Sequence, residues 1–215
     1  MKAVLISIQP KWCEKIANGE KTIEVRKTAP KEVPFKVYIY CTKHGKQFFH
    51  NGIGEKECLF KNPDTGKIKF DYAFEVMCCK NDYSKDNFLS GKVIGEFVCD
   101  WITEINPHCD IDGCVNQYIH GYPAILGDDC LSFNEMNAYL GNKKGYDWHI
   151  SDLVIYDKPK DLSEFRKPCP YGDLPCWICP SCDKDENDNL IQCFNTVSRP
   201  PQSWCYVEEL QEEKK

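Results

Sequence analysis

Apolar and polar positions near the start of the chain follow two different periods. A short apolar run over 3–6 leads into Ser7-Ile8-Gln9-Pro10 and reads as an opening strand. Pro10 then suits the first position of a helix, with Trp12 and Ile16 on one face at i, i+4 spacing, and Gly19 supplies a left-handed stop. Beyond it the period becomes two: Thr22, Glu24 and Arg26 point to one side of a strand, Ile23 and Val25 to the other. A further strand is predicted over 37–41. Around the turn Asn62-Pro63-Asp64-Thr65-Gly66, segments 57–61 and 67–77 pair as a hairpin, followed by a polar loop over 81–90. A strand covers 92–101, and the weak periodicity of 106–127 reads as mainly loop. Ser132-Phe133-Asn134-Glu135 is a capping box that opens a short helix, with Phe133, Met136 and Leu140 on one face and Gly141 closing it. A strand over 148–156 is stopped at Asp157-Lys158-Pro159, and a last strand over 203–209 precedes an acidic tail.

Strands outnumber helices and the turns are marked by Gly and Pro. The fold class is therefore α+β to mainly β, a small barrel with short helices packed against it. The predicted division is a barrel formed by 1–165 plus 198–210 with an insertion at 43–90, a cysteine-rich insertion at 166–197, and a flexible tail at 211–215. The 42% apolar and 28% charged residues are ordinary for a globular chain. No apolar run approaches the roughly 18 residues of a membrane-spanning helix. The 15 cysteines without an export signal predict reduced thiols, a cytoplasmic location and no membrane partner. Cys13, Cys41 and Cys99 read as small core residues.

The net charge of −6 disfavours a generic nucleic-acid binder, but it is unevenly distributed. Residues 1–50 hold ten Lys or Arg against four Glu, a balance of +6, which leaves −12 for 51–215. A polyanion therefore meets the first fifty residues. They contain Lys21, Glu24 and Arg26, which the helix–turn–strand brings to one polar hollow. A lysine beside a carboxylate anchors a phosphate, or loses its proton and acts as a base or nucleophile. Arginine cannot deprotonate and suits bidentate clamping of carboxylate or phosphate. The plain structural alternative is an Arg26 ion pair with Glu24 or Glu20 that closes the barrel.

Gly19-x-Lys21-x-x-Glu24-x-Arg26 resembles the GxKxxExR signature of the ASCH domain, a PUA-like β-barrel superfamily associated with RNA and modified nucleosides. Residues 1–42 carry the resemblance best; 91–101 and 146–165 carry it moderately, and 43–90 and 166–197 not at all. The resemblance implies a PUA-like barrel whose motif residues line a binding cleft. Small amidohydrolases of the superfamily that act on N4-acetylated cytidine use a lysine, a threonine two residues before the arginine, and a strand glutamate. Lys21 and Arg26 match that pattern, and Glu96 is the counterpart of the strand glutamate. Glu24 occupies the threonine position, so the expected hydroxyl is missing and Thr22 lies one pleat away. Lys21, Glu24 and Glu96 are the catalytic candidates under this alternative, as they are for an ASCH-type ribonuclease.

Aromatic and polar residues add candidates for reading a base. Tyr40 shares a strand face with Tyr38, and Trp204 in Pro200-Pro201-Gln202-Ser203-Trp204 offers a stacking wall beside Gln202 and Ser203. Tyr118, His120 and Tyr122 alternate around Gly121 without suggesting a role. Cys169, Cys176, Cys179, Cys182 and Cys193 gather five thiols in a segment poor in apolar residues, where Cys179-Pro180-Ser181-Cys182 looks like a zinc knuckle. Structural zinc on Cys176, Cys179, Cys182 and Cys193, with Cys169 as a substitute ligand, would staple it. The expectation is a protein that binds RNA or a nucleotide-like molecule. The alternatives are a hydrolase using Lys21 and a phage-type accessory protein whose cysteine-rich insertion docks a protein partner.

Overall fold

A computed structural model describes residues 3–43, 47–50, 53–62, 64–74, 88–121, 128–171, 178–180, 182–187 and 190–210. Among them, in chain order, are strand β1 (Ala3–Ile8), helix α1 (Pro10–Ala17), β2 (Ile23–Arg26), β3 (Phe35–Cys41), β4 (Gln47–His50), β5 (Ile53–Lys61) and β6 (Ile68–Phe74). Then come β7 (Val93–Cys99), β8 (Ile102–Cys109), β9 (Val115–His120), α2 (Phe133–Leu140), β10 (Gly145–His149), β11 (Ser151–Lys160), β12 (Asp183–Lys184), β13 (Leu190–Gln192) and β14 (Trp204–Val207). The principal sheets run β11-β7-β3-β1-β14 and β2-β10-β8-β9. A three-stranded sheet β4-β5-β6 and the pair β12-β13 complete the set.

Two chain segments pass from one principal sheet to the other and curl them into a half-barrel. β7 continues into β8 through Asp100 and Trp101, and β10 continues into β11 through Ile150. The bends are tied together, since the His149 N–H donates to the Trp101 carbonyl (3.0 Å) and the Ile150 N–H to the Thr22 carbonyl (2.9 Å). The enclosed core takes Val4, Ile6 and Ile8 from β1, Val37 and Ile39 from β3, Ile94 and Phe97 from β7, Ile16 from α1, and Trp148 from β10. The Trp148 ring meets Phe35 edge-on at 5.3 Å. Cys13, Cys41 and Cys99 are fully buried in this core, as small apolar residues should be.

The alternate residues Ala3, Leu5, Tyr38 and Tyr40 face a second cluster with Phe165, Val197 and Val207, so the five-stranded sheet is covered on both sides. Phe165 and Val197, at the two ends of the cysteine-rich segment, are thus anchored to the barrel. The sheet β4-β5-β6 is seated as well. Leu59, Ile68 and Leu89 enter the main core, and the Phe70 N–H donates to Glu14 Oε1 at 3.0 Å.

Three local expectations are corrected. Residues 106–121 are not mainly loop, and 122–127 lie outside the described residues: β8 runs on to Cys109 and pairs with β9 around a turn at Asp110–Gly113, where the Asp110 carboxylate accepts from the Asp112 and Cys114 N–H groups. β9 is half or fully exposed along its length, so it has no apolar alternation to read. The strand predicted over 148–156 is divided at Ile150, and β11 continues through Pro159, which an edge strand tolerates because its missing N–H faces no partner. Met136 and Leu140 are buried on α2, but Phe133 is exposed and packs loosely near Tyr118. The 57–77 hairpin is β5–β6 up to Phe74; Met77 lies outside the described residues.

Candidate functional site

The end of α1 fixes the position of Lys21. Gly19 adopts φ +75°, and the Glu20 and Lys21 N–H groups both donate to the Lys15 carbonyl (2.9 and 3.1 Å). On the other side Thr22 and Ile23 donate to the Asp128 carbonyl, while Thr22 Oγ1 accepts from the Asp128 N–H at 3.0 Å. The Thr22 hydroxyl is thereby committed to the backbone. The turn it contacts is held by two side-chain clasps, Asp128 to the Cys130 N–H (2.6 Å) and Asp129 to the Leu131 N–H (2.7 Å), with Cys130 at φ +58°.

This turn places the Asp129 carbonyl on the Lys21 ammonium, at 2.5 Å. The same ammonium lies 3.5 Å from Glu24 Oε2 and 5.4 Å from the centre of the Trp12 ring. Glu24 Oε1 is 2.8 Å from an Arg26 terminal nitrogen, which also donates to the Ser7 carbonyl at 2.8 Å. Lys21, Glu24 and Arg26 are only 2%, 6% and 6% exposed, so the trio predicted from spacing is an inward-facing ionic cluster. Two buried cations share one carboxylate. Arg26 Nε and Trp148 Nε1 are both buried without a hydrogen-bond partner, and Trp148 stands opposite Glu24 in the β2–β10 register. Burial pushes the Tyr139 phenol pKa up, and the nearby Arg26 charge opposes that shift.

Ser7 joins the trio to the Pro200–Trp204 segment. Its N–H donates to the Ser203 carbonyl (2.9 Å) and its hydroxyl to the Pro201 carbonyl (2.6 Å). Trp204 donates from Nε1 to Thr28 Oγ1 (3.1 Å) and meets Trp148 edge-on at 5.7 Å; Gln202 is exposed and Ser203 half-buried. Tyr40 does not join this group, because it faces the second cluster beside Tyr38 and Leu5. Glu96 does not join it either. It pairs in register with Tyr38, forms a 3.1 Å ion pair with Lys36, and accepts a hydrogen bond from the Tyr156 hydroxyl.

A second ionic group lies behind β2. Asp147 stands opposite Val25 in the β2–β10 register, and therefore on the other face from Glu24 and Trp148. It is 1% exposed; its Oδ2 is 2.5 Å from His120 Nδ1 and accepts from Thr103 Oγ1 at 3.4 Å. The Asp147 hydrogen bond raises the His120 pKa, and burial raises that of Asp129. The ligand atoms of His120, Asp129 and Asp147 lie within 4.8 Å of one another. Little in the residue pattern announces this group; a lone acid between Tyr146 and Trp148 is its one visible sign.

Of the predicted metal thiols, Cys179 and Cys193 are buried, while Cys182 and Cys169 are half-buried. The Cys182 N–H reaches the Cys179 carbonyl at 3.4 Å, and Cys176 lies outside the described residues. An open cavity of about 530 Å³ lies elsewhere, between α1 and the β5–β6 turn, bordered by Glu14, Asn18, Lys67 and Ile68.

No family model and no curated protein matches the chain. Two solved structures are similar in backbone course, both crystal structures of mutant forms of the ZmASCH protein from Zymomonas mobilis. One is 15% identical, with 97% of this chain and 89% of that chain covered and a TM-score of 0.45. The other is 16% identical, with 75% and 77% covered and a TM-score of 0.40.

Proposed function

We propose that this chain binds RNA or a nucleotide-like ligand in an ASCH-type site, with Lys21 and Arg26 taking its anionic part and Glu24 orienting both cations. One observation carries the reading: two buried cations share a single carboxylate, and two buried N–H donors beside it, Arg26 Nε and Trp148 Nε1, have no acceptor. An orphaned buried donor costs about 1–3 kcal/mol, which an acceptor-rich phosphate or base carbonyl would recover. Gln202, Ser203 and Trp204, tied to the trio through Ser7, would supply a base-reading edge and a stacking ring.

Anisotropy with a labelled single-stranded RNA, and with mononucleotides as competitors, tests this. Wild type binds, and Arg26→Lys and Lys21→Met each weaken binding roughly ten- to hundred-fold, the loss of one charge-assisted hydrogen bond. Absence of binding by wild type, or unchanged binding by both folded variants, refutes it. Turnover of N4-acetylcytidine by wild type that disappears in Lys21→Ala would instead favour the hydrolase.

For the cysteine-rich segment we propose a zinc staple on Cys176, Cys179, Cys182 and Cys193 that presents residues 166–197 to a protein partner. Burial of Cys179 and Cys193, in a segment with little other core among its described residues, supports it. Zinc content measured by mass spectrometry should fall from one equivalent to none in Cys179→Ser; a protein purified without zinc that keeps its fold rejects the staple.

A further inference from the structure

We propose that His120, Asp129 and Asp147 form a binding site for one divalent first-row transition cation. The three residues come from β9, from the turn before α2 and from β10, and their ligand atoms lie within 4.8 Å of one another. Ligand atoms about 2.0–2.2 Å from a shared ion lie roughly 3–4.4 Å apart, so the group closes onto one ion by side-chain adjustment on the order of an ångström. One imidazole and two carboxylates make a mixed nitrogen–oxygen donor set, which suits Mn²⁺ or Zn²⁺.

A second observation points to a missing ligand. Asp147 is 1% exposed, and its Oδ1 is buried with no hydrogen-bond partner, although its Oδ2 is engaged by His120 and Thr103. A carboxylate oxygen held dry and unpaired among other metal-type donors is stabilised by a cation. The 2.5 Å contact between His120 Nδ1 and Asp147 Oδ2 is then the hydrogen bond that the entering ion replaces. His120 is the most exposed member, with 39% of its side chain open, so solvent reaches the coordination positions the protein leaves free. The cation site is separate from the anion site at the trio. The two share only Asp129, whose carbonyl serves Lys21 while its carboxylate serves the ion.

The test is titration of the full chain as purified, desalted without chelator so that any tightly held zinc stays, with Mn²⁺ followed by loss of the free-ion electron paramagnetic resonance signal. Manganese is chosen because thiolates compete poorly for it, which separates this site from the cysteines. One Mn²⁺ binds per chain, and the affinity falls at least tenfold in His120→Ala and in Asp129→Asn, since losing a ligand costs no less than the roughly 10–100-fold of losing an outer partner. Asp157→Asn, which removes a fully exposed acid outside the group, binds as wild type does. No saturable uptake by wild type, uptake unchanged in both His120→Ala and Asp129→Asn, or uptake lost in Asp157→Asn overturns the proposal.

Discussion

Replacing Glu24 with Gln removes the one negative charge between Lys21 and Arg26 while keeping the volume of the side chain. The two ion pairs it breaks are Oε1 to Arg26 at 2.8 Å and Oε2 to Lys21 at 3.5 Å, between side chains at most 8% exposed. At such separations in bulk water each pair is worth about 1 kcal/mol. Here the cations stay behind among side chains at most 8% exposed, and breaking a buried pair from one side costs about 3–5 kcal/mol. Gln retains one acceptor, which puts Glu24→Gln near the lower bound, about 3 kcal/mol. For a chain of this size that lowers Tm by about 6–12 °C. The matching control is Glu20→Gln, which breaks an ion pair of similar length, 3.1 Å to Lys15, between side chains 31% and 56% exposed. It changes stability by less than about 1 kcal/mol, and added salt erases the difference. Urea unfolding followed by tryptophan fluorescence reads both as shifts in midpoint at unchanged slope. A destabilisation by Glu24→Gln no larger than that of the control would refute the burial argument, and with it the reason for expecting an anion at the trio.

Two further outcomes follow from packing and charge. In Gly95→Ala the new Cβ would stand 2.4 Å from the Val154 carbonyl oxygen across the β7–β11 pairing, so overpacking destabilises by about 1–3 kcal/mol; an unchanged urea midpoint means β11 is not seated on β7 as described. The Lys11 ammonium at 2.9 Å, helped by the Ser132 N–H and hydroxyl, holds the Glu135 carboxyl at about 2, below its ordinary 4.5. A folded value below the unfolded one gives stability that is complete above about pH 4.5 and is lost as pH falls toward 2. With both side chains more than 40% exposed the contribution stays under about 1 kcal/mol. The stability gap between wild type and Glu135→Gln should therefore close on acidification, and a gap constant with pH contradicts the pairing.

Elements set by short-range chemistry were legible in the residues alone. Gly19 ends α1, the period-two alternation of residues 22–26 makes β2, and Ser132 with Glu135 caps α2 as a complete capping box. Because Lys21, Glu24 and Arg26 fall within six residues of one turn and strand, local geometry alone brings them together. Long-range pairing decided the rest. Which face of the five-stranded sheet receives Glu96 depends on its register against Tyr38, and a slip of one residue would send it to the other side. β9 was hidden because a strand wet on both faces carries no apolar signal, yet it delivers His120 to Asp147 from 27 positions away. The trio was readable because three charges on neighbouring residues need only a backbone. The His120–Asp129–Asp147 group needed a sheet, since nothing in the local preferences of β9, the turn before α2 or β10 specifies that they meet.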